Sequence, residues 1–140
     1  MRIENINEDF TKSDLKYSII TFVSSDFIMC KDTFLMYIKK KYNSIKELKK
    51  QKKKSGEVAY INKNNKYIFY IIIADYIENN VNILNILKAI CDLKKLIEYL
   101  KITDIMSSRL HINNVYKDTK IIYDYFKEIM PDNLNLYLLS

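Results

Sequence analysis

Eight apolar residues in a row, Tyr67 to Ala74, constrain this chain more than any other feature. A β-branched and aromatic run of this length reads as a strand buried on both faces. Such a strand needs neighbours in a sheet, and helices above and below it. The preceding residues supply one neighbour. Glu57–Ile61 is a short alternating segment, as in a half-buried strand, and Asn62–Asn65 has the composition of a hairpin turn. Gly56, the only glycine in the chain, stands just ahead of it.

The rest of the chain supplies the cover. Met1–Ile6 and Lys16–Val23 are expected as strands, the second from its β-branched content. Thr33–Tyr42 places Phe34, Leu35, Ile38 and Tyr42 on one helical face. Ser44 and Glu47 have capping-box spacing, so a short helix is expected there, its lysine-rich end complementing the helix dipole. Val81–Leu100 repeats apolar residues every three or four positions behind Asn82, a good N-cap. Ile102–Met106 follows as a strand, Tyr116–Ile129 as a helix closed by Pro131, and Leu134–Leu139 as the last strand. Strands alternating with helices predict a three-layer α/β/α sandwich around a mixed sheet. At 140 residues this is expected to be one domain, residues 1–140.

Charge and cysteine bound the chemistry. The net charge is +6, with much of it in Lys39–Lys41 and Lys49–Lys54. A lysine block of this kind is expected to be a solvated helix end, and a nucleic-acid patch is the sharper alternative. The aromatic residues are mostly placed for a core and not interleaved with the lysines as a base-stacking platform requires, so nucleic acid is not the expected partner. Cys30 and Cys91 lie in apolar surroundings, and the polar, acidic start MRIENINEDF is unlike a secretion signal. Both are expected as free buried thiols in an intracellular, cytoplasmic or nuclear, protein. One histidine and two distant cysteines make no zinc site, and no apolar run nears the roughly 18 residues of a membrane span. The bias to Ile, Asn, Lys and Tyr points to an AT-rich genome.

The central stretch carries a resemblance. KKSGEVA at 53–59 and KYIFYII at 66–72 look like the middle of a macrodomain. The nearest type is the small one that removes terminal ADP-ribose from glutamate, the terminal ADP-ribose protein glycohydrolase. The likeness runs from about Ile3 to Leu138 and is most specific at its centre. It implies ADP-ribose as a possible ligand; no cofactor and no metal are expected. It also implies binding positions: Asp9 and Phe10 after the first strand, where the family's aspartate contacts adenine; Ser24 and Asp26 at the cleft rim; and Ser107, Ser108, Arg109 and Asn113 where the family cradles the diphosphate.

The same resemblance shows what is missing. Met29–Asp32 stands where the family has a glycine loop, Glu8 where it has a further glycine, and Ser107–Asn114 where two more glycines belong. A Cβ at a cradle position blocks the roughly 3 Å approach of backbone to phosphate. Ala74 stands where the glycohydrolase type has its lysine nucleophile, with Asp75 next to it. The family's acid/base aspartate falls on Ile112, Asn113 or Asn114, and none of these shuttles a proton. No catalytic residue is therefore assigned. The sequence points to a degenerate macrodomain acting as an interaction or scaffold protein with an unknown protein partner. The alternatives are an ADP-ribose reader or ADP-ribosyl-glutamate hydrolase, and a basic nucleic-acid-binding accessory protein.

Overall fold

The structure, a computed structural model, describes residues 1–27, 33–76 and 80–140. In chain order its elements are β1 (Arg2–Ile6), β2 (Ser18–Ser24), α1 (Thr33–Tyr42), α2 (Ile45–Lys50), β3 (Val58–Lys63), β4 (Lys66–Ala74), α3 (Ile83–Leu100), β5 (Asp104–Ser108), α4 (Arg109–Asn113), α5 (Thr119–Ile129) and β6 (Asn135–Leu139). The six strands share one sheet in the order β1-β6-β5-β2-β4-β3. Five of them run parallel, and β3 pairs antiparallel with β4.

The long apolar run lies where its composition requires. Phe69, Ile71 and Ile73 of β4 join Ile20 and Phe22 of β2 against Ile86, Ile90 and Leu93 of α3 and Ile122 and Phe126 of α5. Ile68, Tyr70 and Ile72 join Ile19 and Val23 against Phe34, Leu35 and Ile38 of α1 and Leu48 of α2. The sheet is thus covered on both faces, as the expected three-layer sandwich. Ile71 is fully buried. Ile71→Ala is expected to cost about 2–5 kcal/mol by leaving a cavity that neighbouring side chains fill only in part. Urea denaturation of the two proteins checks this, and a loss below about 1 kcal/mol would contradict central placement of the strand.

The β3–β4 hairpin is tighter than the sequence suggests. Lys63 pairs with Lys66, so the turn is Asn64-Asn65 alone and β3 runs two residues further than expected. Asn64 and Asn65 have φ of 54° and 64°, the left-handed region that a two-residue hairpin turn demands and that asparagine tolerates well. At the outer edge, Gln51 serves as a substitute strand. Its Nε2 donates to the Tyr60 carbonyl at 2.7 Å, and its Oε1 accepts from the Tyr60 amide at 3.1 Å. Asp92 of α3 accepts from the Val58 amide at 2.9 Å. Two outward backbone amides of an edge strand are thereby satisfied, and the edge is blunted against further pairing.

Asn82 caps α3 as expected, its side chain accepting from the Leu84 amide at 2.8 Å. The capping box does not form. Ser44 makes no side-chain cap bond and donates instead to the Tyr42 carbonyl at 2.5 Å, a local bond that competes with capping. The strand expected at Ile102–Met106 lies two residues later, because α3 ends in a left-handed Lys101 with φ of 57°. There the Ile102 amide bonds back to the Ile97 carbonyl at 2.9 Å, which takes Ile102 for the helix terminus.

Candidate functional site

The five parallel strands aim their C-terminal ends at one rim, so the residues after Ile6, Ser24, Ala74, Ser108 and Leu139 gather there. The chain leaving β2 packs its helices α1 and α2 on one face, and the chain leaving β5 packs α4 and α5 on the other. Neighbouring strands whose connections depart in opposite directions mark the switch point, where open α/β sheets bind ligands. Here it falls between β2 and β5.

That place is bridged by the protein's own side chains. The β2–β5 register covers only Ser18 with Ile105 and Ile19 with Met106. Beyond it, buried Ser107 donates its hydroxyl to the Ile20 carbonyl at 2.8 Å. His111 then reaches across from α4. Its Nε2 lies 2.9 Å from the Phe22 amide and 3.0 Å from Thr21 Oγ1. A backbone amide can only donate, so Nε2 accepts and the ring carries its proton on Nδ1. The imidazole is 5% exposed and packs between Phe22 and Phe34, with ring centroids 6.0 and 5.5 Å away. His111 is a core group because Ser107 and Ser108 extend β5 and Arg109–Asn113 is a helix. A lone histidine between Leu110 and Ile112 carries no local signal of this placement.

The residues implied by the resemblance fall into three places. At the ends of β2 and β4, Ser24 donates to Asp26 Oδ1 at 2.5 Å. Beside them Ser25 bonds through its amide to the Ala74 carbonyl at 2.9 Å and through its hydroxyl to the Asp75 carbonyl at 2.6 Å. Ala74 ends β4 and is 8% exposed. At the end of β5, Ser108 is buried and accepts from the His111 amide at 3.3 Å, while Arg109 is exposed. Asn113 is exposed too, accepts from the Tyr123 hydroxyl at 3.3 Å, and borders an open hollow of about 460 Å³ with Asn80, Val81 and Tyr116. After β1, Asp9 borders a separate groove of about 550 Å³ whose floor includes Met106 and Leu139. Bonds from the Thr11 amide and hydroxyl hold the Asp9 carboxyl below the usual carboxylate range. Phe10 packs edge-on against Phe34 at 5.1 Å and against Tyr37 at 5.4 Å.

The loop at 29–32 with Cys30, and the proposed N-cap Asp32, lie outside the described residues. Cys91 is a free thiol and only half-buried, so its expected full burial does not hold. Its Sγ is 2.7 Å from the Tyr125 hydroxyl, and that bond, with burial behind it, pushes the tyrosine pKa up to about 12. Among the described residues no group of His, Cys, Asp and Glu is placed to hold a metal, and no helix is long and apolar enough to cross a membrane.

A mixed sheet in this order, with helices on both faces and a rim at the C-terminal ends of the parallel strands, is the macrodomain fold. The macrodomain of Thermus aquaticus DarG superposes with a TM-score of 0.78 at 11% identity, over 99% of this chain and 97% of that one. The macrodomain of Mycobacterium tuberculosis DarG gives 0.77 at 15% identity over the same shares, 99% and 97%. A macrodomain protein from Streptomyces coelicolor gives 0.71 at 10% identity, over 99% of each chain. Among curated proteins, the ADP-ribose glycohydrolase OARD1 of Bos taurus is 33% identical over 75 residues, 42% of this chain and 49% of that protein. The Homo sapiens protein of the same name matches with the same identity and shares, 33%, 42% and 49%. The match thus spans about half the length of these curated relatives. No protein-family profile matches the chain.

Proposed function

We propose that this protein is a degenerate macrodomain that serves as an interaction or scaffold protein, does not hydrolyse ADP-ribosyl linkages, and binds ADP-ribose weakly or not at all. The observation that carries this is Ala74. It closes β4 at the rim, at the position where the resemblance puts a nucleophilic lysine, and a methyl group attacks nothing. The switch point adds support. The Ser107 hydroxyl and His111 Nε2 are already engaged with the backbone of β2, so neither is offered to a phosphate.

Calorimetric titration with ADP-ribose tests the reading. The expected dissociation constant is no tighter than about 100 μM, or about −5.5 kcal/mol. A micromolar constant would overturn weak binding and favour the other reading, an ADP-ribose-binding reader. That reading draws on the 33% identity to an ADP-ribose glycohydrolase over 75 residues and on the Ser24–Asp26 pair at the rim.

A further inference from the structure

We propose that the lysine-lined edge from Lys39 to Lys54 is a docking surface for the phosphate backbone of duplex DNA. This departs from the expectation that nucleic acid is not a partner, because duplex phosphate needs no base-stacking platform, and it does not depend on the reading of the rim. The segment holds nine lysines and one carboxylate, Glu47, for a net charge of +8. The remaining 14 basic and 16 acidic residues sum to −2, so the whole positive charge of the chain is held in 16 consecutive residues.

The fold carries these charges on two successive helices and the loop that follows them. Lys39–Lys41 form the last turn of α1, Lys46, Lys49 and Lys50 belong to α2, and Lys52–Lys54 follow it. Leu48 and Gln51 turn inward, the first to the core and the second to the backbone of edge strand β3. The lysines of α2 and its following loop are exposed. Among the described residues no carboxylate forms an ion pair with any of the nine. Like charges held this close repel one another, and a polyanion relieves that repulsion while releasing its own counterions.

The chemistry of the edge selects its occupant. Tyr42 of this segment and Tyr37 just before it are half-buried against the core beside Phe10, so no platform stacks unpaired bases. Leu48 is 1% exposed and Ile45 is packed on the same core, so no apolar wedge enters a bilayer. Flexible point charges without a reading group suit a regular backbone of dense phosphate, read without regard to sequence.

The test is fluorescence anisotropy of the whole chain with a labelled 20-base-pair DNA duplex across a salt series. Binding is expected at 150 mM salt with a dissociation constant of roughly 10⁻⁴ to 10⁻⁶ M, and log affinity should fall with log salt by about 0.9 for each phosphate neutralised. Changing Lys49, Lys50, Lys52, Lys53 and Lys54 together to Gln should weaken binding at least tenfold and flatten that slope. Changing Lys94 and Lys95 of α3 to Gln should do neither. Circular dichroism and a thermal melt establish that each variant is folded. No binding at 150 mM salt, an unchanged slope in the fivefold variant, tighter binding to a single strand of equal length, or equal binding to anionic phosphatidylserine vesicles would each overturn the proposal.

Discussion

His111→Ala is expected to destabilise the protein by about 3 kcal/mol, from a cavity left by the ring and a buried amide left without an acceptor. The ring is 5% exposed and wedged between Phe22 and Phe34, so its removal opens space that two aromatic groups cannot close by small shifts. The Phe22 amide would also lose its bond of 2.9 Å to Nε2, since β5 has turned into α4 and offers no carbonyl there. A domain of this size is stable by only about 5–15 kcal/mol, so the loss is a large fraction of the whole. Two further variants separate the causes. His111→Gln keeps an acceptor and should lose less than Ala; His111→Leu keeps bulk but orphans the amide and should still lose about 1–3 kcal/mol. Urea denaturation reads all three. Equal stability of the Leu variant and the parent would show that the amide does not rely on the ring.

The elements that hydrophobic period alone determines were legible: the double-sided burial of β4, the stripe of α3 behind Asn82, and the alternation that makes three layers. Phe69 and Ile68 face opposite layers because they are neighbours in a strand, and nothing distant has to be known to say so. What was not legible depends on groups far apart in the chain. Thr21 and His111 are 90 residues apart, and only the crossing of β5 beside β2 brings them within 3.0 Å. The start of β5 was hidden for a different reason. A chain with one glycine closes helices and turns with other residues, so Lys101, Asn64 and Asn65 take left-handed φ and the usual punctuation is missing. The rim was half legible. Ala74 lies at the strand end as its place after the apolar run implies, whereas Ser107 and Ser108, which the resemblance puts at a diphosphate cradle, are strand residues with engaged hydroxyls.

Ala74→Lys is expected to leave the protein unable to release ADP-ribose from a glutamate ester, although it restores the amine that the glycohydrolase type uses. Hydrolysis of that kind needs an amine able to reach the anomeric carbon and an acid/base able to move a proton beside it. The substitution supplies only the first. Ser107–Asn114 contains no carboxylate, and its one titratable ring, His111, is buried with Nε2 accepting from the Phe22 amide. General acid/base help contributes roughly 10²–10⁴-fold, and correct positioning contributes more still. Groups that act as a unit lose nearly all of their effect when one is absent, so one restored member recovers little. The new amine is also badly placed, since Ala74 is 8% exposed and its carbonyl is bonded to the Ser25 amide at 2.9 Å. A lysine there must bury its ammonium or displace its neighbours, and a buried ammonium without a partner is costly. Adding Asn113→Asp to Ala74→Lys is expected to fail as well, because Asn113 is exposed on the far side of α4 from the ring that fills the switch point. The measurement is release of ADP-ribose from an automodified, glutamate-linked protein, run beside a competent glycohydrolase. Release by the unaltered chain would overturn the reading and make the Ser24–Asp26 pair and Asp75, which stand at the ends of β2 and β4, the first groups to substitute.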